Sequence, residues 1–268
     1  QGYIEGESFH GDLPAAGQLR ESKKTLPEIN KNIFESIEKK LAGDAFDQDS
    51  IVDMSANGLP DSLDNSFSVK TLVLKFSNDI VVDHVFLKGN ICIWSPTEVK
   101  VMSGASLNDI VIYAKKVKLD DGFEGSLQLF ASDSILVGKK CRFSYPTVIG
   151  ALRSESSGGS ASVNIQDESE ISGIVFTYQD NYDPEKITRI KTAKDVLIKG
   201  SLFTNGCLDF TGEVYGSVIC AQLLLSTSSA LYENHLMDAV IDRERLSPYF
   251  TGIDIWAGSR QKRIVKWL

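Results

Sequence analysis

Residues 198–204 read IKGSLFT, and sixteen residues later residues 214–220 read VYGSVIC. In both copies a glycine at the third position is flanked by apolar residues at the first and fifth positions. The same form recurs along the chain, and neighbouring positions align as well, as in 112–114 against 129–131. We therefore predict a repeat with an irregular period of 16 to 27 residues. Its copies begin at residues 69, 87, 107, 123, 148, 171, 198 and 214, those at 69 and 107 without the glycine.

The repeat consists of short β-type segments bounded by Gly, Asn, Asp or Ser, such as 72–76, 110–113, 127–130 and 173–176. A repeat of this length favours a solenoid in which each coil adds one strand to each of several parallel sheets. The predicted fold is an all-β parallel β-helix of about eight coils, near 40 Å long. The glycines then stand where a tight corner or a neighbouring backbone excludes a Cβ. The alternative is an antiparallel β-sandwich or barrel.

One amphipathic helix precedes the repeat. Thr25 and Glu28 have the spacing of a capping box, and Gly43 is a suitable helix end. We predict a helix over residues 26–42 that covers the open N-terminal end of the coils. Its apolar stripe consists of Ile29, Ile33, Ile37 and Leu41, with Phe34 beside it.

Composition and charge exclude several classes of function. Lys and Arg number 28 against 36 Asp and Glu, a formal charge of -8 that disfavours binding to nucleic acid. No apolar run approaches the roughly 18 to 20 residues that span a bilayer. The sequence begins with Gln1 rather than Met, which suggests that a signal peptide, lipid anchor or membrane helix has been removed. The four cysteines are widely spaced, so we expect free, buried thiols rather than a zinc site, with disulfides as the alternative.

The best local candidate for a binding site is an insertion that interrupts the repeat between Gly173 and Gly200. Loops inserted on a solenoid often line its binding face. The insertion combines carboxylates with two tyrosines, a set that suits calcium or the face of a sugar; a solvated corner is the alternative. The candidate residues are Tyr178, Asp180, Tyr182, Asp183 and Glu185.

No catalytic set can be assembled from the sequence. Asp120, Asp121 and the run 189–191 occur in the order found in polygalacturonase-like enzymes, but no Gly-His-Gly lies between them. The two aspartates precede Gly122 and are better explained as corner residues. The three histidines are far apart, and no nucleotide-binding loop or nucleophile elbow is present. We expect a protein without catalytic activity and without a cofactor.

The Gly-marked coils resemble right-handed parallel β-helix proteins over roughly residues 69–226. Residues 198–226 are most similar to bactofilin-type, polymer-forming repeats, and also to uncharacterised secreted, adhesin-like β-helix proteins of bacteria. The resemblance implies a structural, scaffolding or adhesive role in a bacterial cell envelope. It further implies an extracytoplasmic location, with an envelope protein or polysaccharide as the partner.

Two other functions remain open at this stage: a β-helix that binds or cleaves carbohydrate, and the outer domain of a membrane-anchored assembly protein. The expected organisation is a lead-in with the helix over residues 1–50, the coils over 51–228, and a C-terminal cap with a short basic tail over 229–268.

Overall fold

A computed structural model of the chain describes residues 26, 28–46, 49–153, 160–181, 183–226, 230–233, 235–252 and 255. The described residues are mostly β, with one helix, and that helix is too short and too polar to cross a membrane. The helix, α1, spans Lys31–Ala42. In chain order the strands are β1 (Ser50–Asp53), β2 (Ser62–Asn65), β3 (Leu72–Lys75), β4 (Ile80–Val82), β5 (Phe86–Gly89), β6 (Ile91–Val101), β7 (Ser106–Leu119), β8 (Glu124–Val137), β9 (Arg142–Arg153), β10 (Ser162–Ile165), β11 (Glu170–Gln179), β12 (Arg189–Thr192), β13 (Leu197–Asp209), β14 (Gly212–Ser226), β15 (Leu231–Glu233) and β16 (Ala239–Ile241).

The strands pair in three parallel series, which we call sheets A, B and C. Within the described residues the pairing of β14 with β15 is antiparallel and every other pairing is parallel. Sheet A runs through β1, β3, β6, β7, β8, β9, β11, β13 and β14. Sheet B runs through β2, β5, β7, β8, β9, β11, β13, β14 and β16. Sheet C runs through β4, β6, β7, β8, β10, β12, β13 and β14.

Several long strands belong to more than one sheet because they bend at the corners. In β13, residues 197–199 pair in sheet B, 200–204 in sheet A and 207–209 in sheet C. The register shifts between Thr204 and Cys207, where the strand turns. Six strands close a ring of parallel pairings in the order β8, β10, β12, β13, β11 and β9. An antiparallel sandwich, the alternative raised by the sequence, does not fit these pairings.

The register of the opening repeat is confirmed. Ile198 pairs with Val214, and Gly200 lies between Gly173 and Gly216 on the adjacent strands. A Cβ on Gly200 would come within 1.8 Å of the carbonyl oxygen of Gly173, so a neighbouring backbone does exclude a side chain there.

The copy proposed at residue 148 is out of register. Thr147, not Gly150, pairs with Gly173, and Gly150 pairs with Phe176. The cause is a bulge in β9, where the register shifts between the pairs that involve Ile171 and Gly173. Gly150 is instead explained by the ring of Phe176, which would lie 2.3 Å from its Cβ.

One continuous apolar interior lies between the three sheets. Successive strands place aliphatic side chains at equivalent positions, so they stack along the series as well as across it. Burying these side chains is the main source of stability, at roughly 25 cal/mol per Å² of apolar surface. In sheet A the stack includes Leu74, Ile93, Ile112, Leu129, Ile149, Val175 and Leu202, each at most 2% exposed.

Helix α1 begins five residues later than the predicted 26–42. Asn30 precedes it without a side-chain cap, and its backbone N–H donates instead to the carbonyl of Ile255 at 2.7 Å. This bond to the C-terminal segment keeps the chain out of helical geometry before Lys31. The capping residue Thr25 and the N-terminal lead-in lie outside the described residues. The predicted helix end at Gly43 is confirmed, with φ of 86°.

The prediction that α1 covers the end of the coils is wrong. The helix lies on the outer face of sheet A, where Phe34 packs on Phe176 and Tyr178 of β11 and Trp94 of β6 donates to the carbonyls of Lys40 and Leu41. The reason is that the outer face of sheet A carries a second apolar layer, and the apolar stripe of α1 shields this layer from water. We call it the flank layer: Val73, Cys92, Tyr113, Phe130, Val148, Leu152, Ile174, Phe176, Tyr178 and Phe203, covered by Phe34, Ile37, Phe46, Phe250 and Ile255.

Because α1 lies on the side, no other described strand or helix covers the outer edges of the first and last strands. All four residues of β1 are exposed, including Ile51 and Val52. At the other end, β16 pairs with β14 on one side and exposes Val240 and Ile241. Most of the predicted C-terminal cap therefore continues or borders the sheets, and its basic tail lies outside the described residues.

Candidate functional site

The insertion predicted as a binding site joins β11 to β12, and the structure describes residues 180, 181 and 183–188 of it, which we call the 180–188 loop. The fold positions it at the corner where sheet A passes into sheet C. The two ends of the loop are held by hydrogen bonds that involve Gln179. Its Oε1 accepts from the N–H of Thr188 at 3.0 Å, while its backbone carbonyl accepts from Asn205 Nδ2 at 2.6 Å. These bonds fix the loop to the neighbouring strand β13.

Tyr178 belongs to the flank layer. It is 5% exposed, and its ring lies 4.1 Å from the ring of Phe34, centroid to centroid. The hydroxyl donates to Asp180 Oδ1 at 3.1 Å. Burial, followed by the negative charge of Asp180, raises the pKa of Tyr178 well above its usual range. The face of this ring is covered by Phe34 and is not open to a sugar. Tyr182, the other tyrosine of the candidate set, lies outside the described residues.

The two aspartates of the loop face different cations. Asp180 lies 3.5 Å from Lys31 Nζ at the start of α1. Asp183 lies 2.8 Å from an Arg153 guanidinium nitrogen at the end of β9. Asp183 also accepts from the N–H of Glu185, and this bond, more than the Arg153 guanidinium, lowers the pKa of Asp183 below its usual value. Each carboxylate thus joins the loop to another element.

The charged side chains of the loop therefore contact different partners and do not surround a common centre. Glu185 is exposed, and its N–H rather than its carboxylate makes the contact to Asp183. Calcium requires six to eight oxygen ligands around a centre. No group of three or more His, Cys, Asp or Glu within the described ranges could hold a metal ion. The observed contacts have a structural role, because they link α1, β9 and β12.

The other candidate groups are also separate. Asp121 accepts from the N–H of Lys139 at 2.7 Å and so joins two successive corners, while Ile190 between Arg189 and Lys191 is buried in the interior. Of the histidines, His84 pairs with Asp83 at 2.9 Å and His235 contacts the carbonyl of Glu233 at 2.7 Å. His10 lies outside the described residues.

A cavity of about 190 Å³ opens beside the C-terminal end of α1. Its wall includes Cys92, Tyr113, Lys40 and Asp49, a mixture that sequence reasoning did not bring together. Burial raises the pKa of the Cys92 thiol to about 12, so the reactive thiolate is scarce at neutral pH. All four cysteines are free thiols. Among the described residues that line the cavity no cysteine is activated, and two of its aromatic side chains, Phe46 and Tyr113, belong to the flank layer or its cover.

Sequence reasoning missed the outer surface of sheet C. Lys100, Lys116 and Lys118 lie on β6 and β7, and Arg189 and Lys191 lie on β12 of the same sheet. They are up to 91 residues apart in the chain, from 100 to 191, so no local motif marks them. Their alternation with buried valines and isoleucines is the one signal that the sequence contains.

The chain was compared with family models, with curated proteins and with solved structures, and none of the three comparisons gave a match.

Proposed function

We propose that the chain is a right-handed parallel β-helix that serves as a structural, scaffolding or adhesive element of a bacterial cell envelope, outside the cytoplasm and without catalytic activity. The observation that carries the proposal is the stacking of sheets A, B and C around one continuous apolar interior. The chain passes from sheet B to A to C in β8 and again in β13, as a coil requires. Connections between parallel strands are right-handed in nearly all proteins, which is the basis for the assigned hand.

The contacts of the charged groups support a structural role. Cross-strand ion pairs join successive coils on the outside of sheet B, where Glu170 pairs with both Arg142 and Lys199. Lys139 and Asp167 pair at 3.6 Å between two corners. Pairs of this kind align neighbouring strands. These ion pairs, together with those of the aspartates in the 180–188 loop, give the charged side chains named here a structural role that requires no catalysis.

The open ends support a scaffolding role. An uncovered edge strand offers unpaired backbone N–H and C=O groups, and apolar side chains beside it add an attractive surface. Both β1 and β16 have this form. A further strand, from a second copy or from an envelope protein, would extend the sheets at either end. The envelope itself is proposed from the resemblance of residues 69–226 to secreted β-helix proteins.

Two measurements test the proposal. The purified chain is incubated with a panel of acidic polysaccharides, and we expect neither new reducing ends nor unsaturated products. Cleavage of any of them at enzymic rates would overturn the non-catalytic role. The native protein is then followed through cell fractionation, where we expect it with the envelope; recovery in the cytoplasm would overturn the location.

A further inference from the structure

The outer surface of sheet C carries two rows of side chains that cross five strands. Paired positions on adjacent parallel strands point to the same side, so each row is continuous. Val99, Val117 and Ile135, which lie between the rows, are at most 1% exposed and face the interior. The first row contains Glu98, Lys116, Ser134, Ser162 and Arg189, and the second contains Lys100, Lys118, Leu136, Asn164 and Lys191.

Five cations stand on this surface, which we call the basic surface: Lys100, Lys116, Lys118, Arg189 and Lys191. Three of them pair with acids: Lys118 with Glu98 at 2.9 Å, Lys116 with Asp133 at 3.5 Å and Lys191 with Asp209 at 3.7 Å. Among the described residues, Lys100 and Arg189 make no ion pair.

The cations of these pairs are more exposed than the acids. The lysine side chains are 44 to 50% exposed, whereas the carboxylate side chains are 26%, 29% and 6% exposed. The carboxylates therefore lie low on the sheet and the ammonium groups stand above them. A ligand that approaches the sheet meets the positive groups first, and the attraction between opposite charges acts at that distance.

The cations form two groups, and the part of each row that lies between them contains no charged side chain; we call this part the strip. One group lies on β6 and β7 and the other on β12, separated by β8 and β10. Three strand spacings from β7 to β12 amount to about 14 Å. The strip presents Ser134, Ser162 and Asn164, whose hydroxyl and amide groups can bind sugar hydroxyls. Leu136 is the apolar member of the strip.

The charge of the basic surface is opposite to that of the rest of the chain. Five cations and four acids, the fourth being Asp79 beside Lys116 and Lys118, give a formal charge of +1 here, so the remaining residues carry -9 of the total of -8. A surface of reversed sign attracts an anionic ligand locally while the remainder repels a densely charged one. Duplex DNA, with one charge per about 1.7 Å, is a poor fit for this arrangement.

We propose that the basic surface binds a linear acidic polysaccharide across the strands of sheet C. Acidic groups of the polymer would pair with the two groups of cations, and its neutral sugars would lie over the strip of Ser134, Ser162 and Asn164. The inference gives the proposed adhesive role a partner, and it rests on that role only for its cellular setting. It needs no reaction and no metal ion.

The test is the binding of hyaluronate, a linear polymer in which acidic sugars alternate with neutral ones. The chain is compared with the Lys100→Ser/Arg189→Ser variant, which removes the two cations of the basic surface that form no ion pair with a described residue. A matched control, Lys70→Ser/Lys88→Ser, removes the same charge from exposed positions outside sheet C. We expect binding that weakens as ionic strength rises, about tenfold weaker binding by the first variant, and a change of about twofold at most in the control.

Four outcomes would overturn the proposal: no binding of hyaluronate by the unaltered chain, equal weakening by both variants, equal binding of uncharged dextran, or tighter binding of duplex DNA. Thermal unfolding of the three proteins checks that the variants are as stable as the unaltered chain. We expect equal stability, because all the substituted side chains lie outside the apolar interior. A negative result leaves the structural role unaffected, since that role is measured by fractionation and by the polysaccharide digest.

Discussion

The carbonyl oxygen of Gly200 occupies the space that a side chain on Gly216 would need: a Cβ at Gly216 would lie 1.7 Å from that oxygen. The two glycines pair directly in adjacent strands at the corner between sheets B and A. Gly216 has φ of 155°, and Gly200 has φ of 154°. The conformation and the close approach together require glycine, so these residues are explained by the contact between the adjacent strands β13 and β14.

Replacing Gly216 by alanine should lower the free energy of unfolding by roughly 3 to 5 kcal/mol, because the backbone of β14 must move away from that of β13. Urea unfolding followed by circular dichroism measures the change. Gly58→Ala is the control, since Gly58 also has a positive φ, of 68°, but open space around its missing Cβ. The control should cost about 1 kcal/mol. Equal losses in the two variants would show that strand contact at Gly216 is unimportant.

Phe34 is the residue of α1 that anchors the helix to sheet A. It is 2% exposed and packs edge-on to Phe176, with centroids 5.7 Å apart, and beside Tyr178. Phe34→Ala should therefore cost about 3 kcal/mol. It should also raise hydrogen exchange in α1 and in the facing strands more than in sheet C. Ser36→Ala, on the exposed side of the helix, is the control, and a comparable effect there would contradict the assigned packing.

The sequence predicts the strands well, and it also predicts the register of the last strands of the series. There the register follows from a residue pattern that repeats over short distances in the chain. The copies at 171, 198 and 214 keep their register, and each glycine contacts the backbone beneath it. A glycine-free copy at 107 is also in register with 87, because Asp109 adopts a positive φ of 59° where Gly89 has 90°. Aspartate tolerates this conformation better than most residues.

The register at 148 and the place of α1 could not be predicted. A bulge inserts residues into β9, and the residue pattern does not identify which strand contains the insertion. An apolar stripe on a helix fits any apolar surface, so the stripe alone did not distinguish the end of the coils from the flank layer. Proximity in the sequence groups Tyr178 with the carboxylates, whereas its ring belongs to a layer assembled from strands that are far apart in the chain.

The contacts of the Asp183 carboxylate, first with the N–H of Glu185 and then with the Arg153 guanidinium, predict a dependence of stability on pH. The pKa of Asp183 is lowered in the folded chain, so the carboxylate stabilises the fold above its unfolded pKa of about 3.9. This contribution is lost as the pH falls through the lower, folded pKa. Asp183→Asn should thus be less stable than the unaltered chain at neutral pH, and the difference should shrink as the pH falls below about 4.

Urea midpoints across this pH range provide the measurement. Glu185→Gln changes an exposed carboxylate two residues away and is the control for general charge. A difference between Asp183→Asn and the unaltered chain that stays constant at all pH values would contradict the stabilising contacts assigned to the ionised Asp183 carboxylate.

The open strand β1 predicts that the chain associates through its N-terminal end. In β1, Ile51 pairs with Val73 of the flank layer, and Val52 pairs with Leu74 of the interior. The two side chains therefore extend both apolar surfaces to the exposed edge strand. The chain's average mass should rise with concentration in light scattering, since an apolar edge strand attracts a further strand. Ile51→Lys/Val52→Lys should remain monomeric, because two charges at the edge oppose pairing. The control, Asn32→Lys/Ser36→Lys, adds the same charge to the exposed side of α1 and should associate as the unaltered chain does. A constant mass for the unaltered chain, or association by the β1 variant, would rule out this edge as the contact.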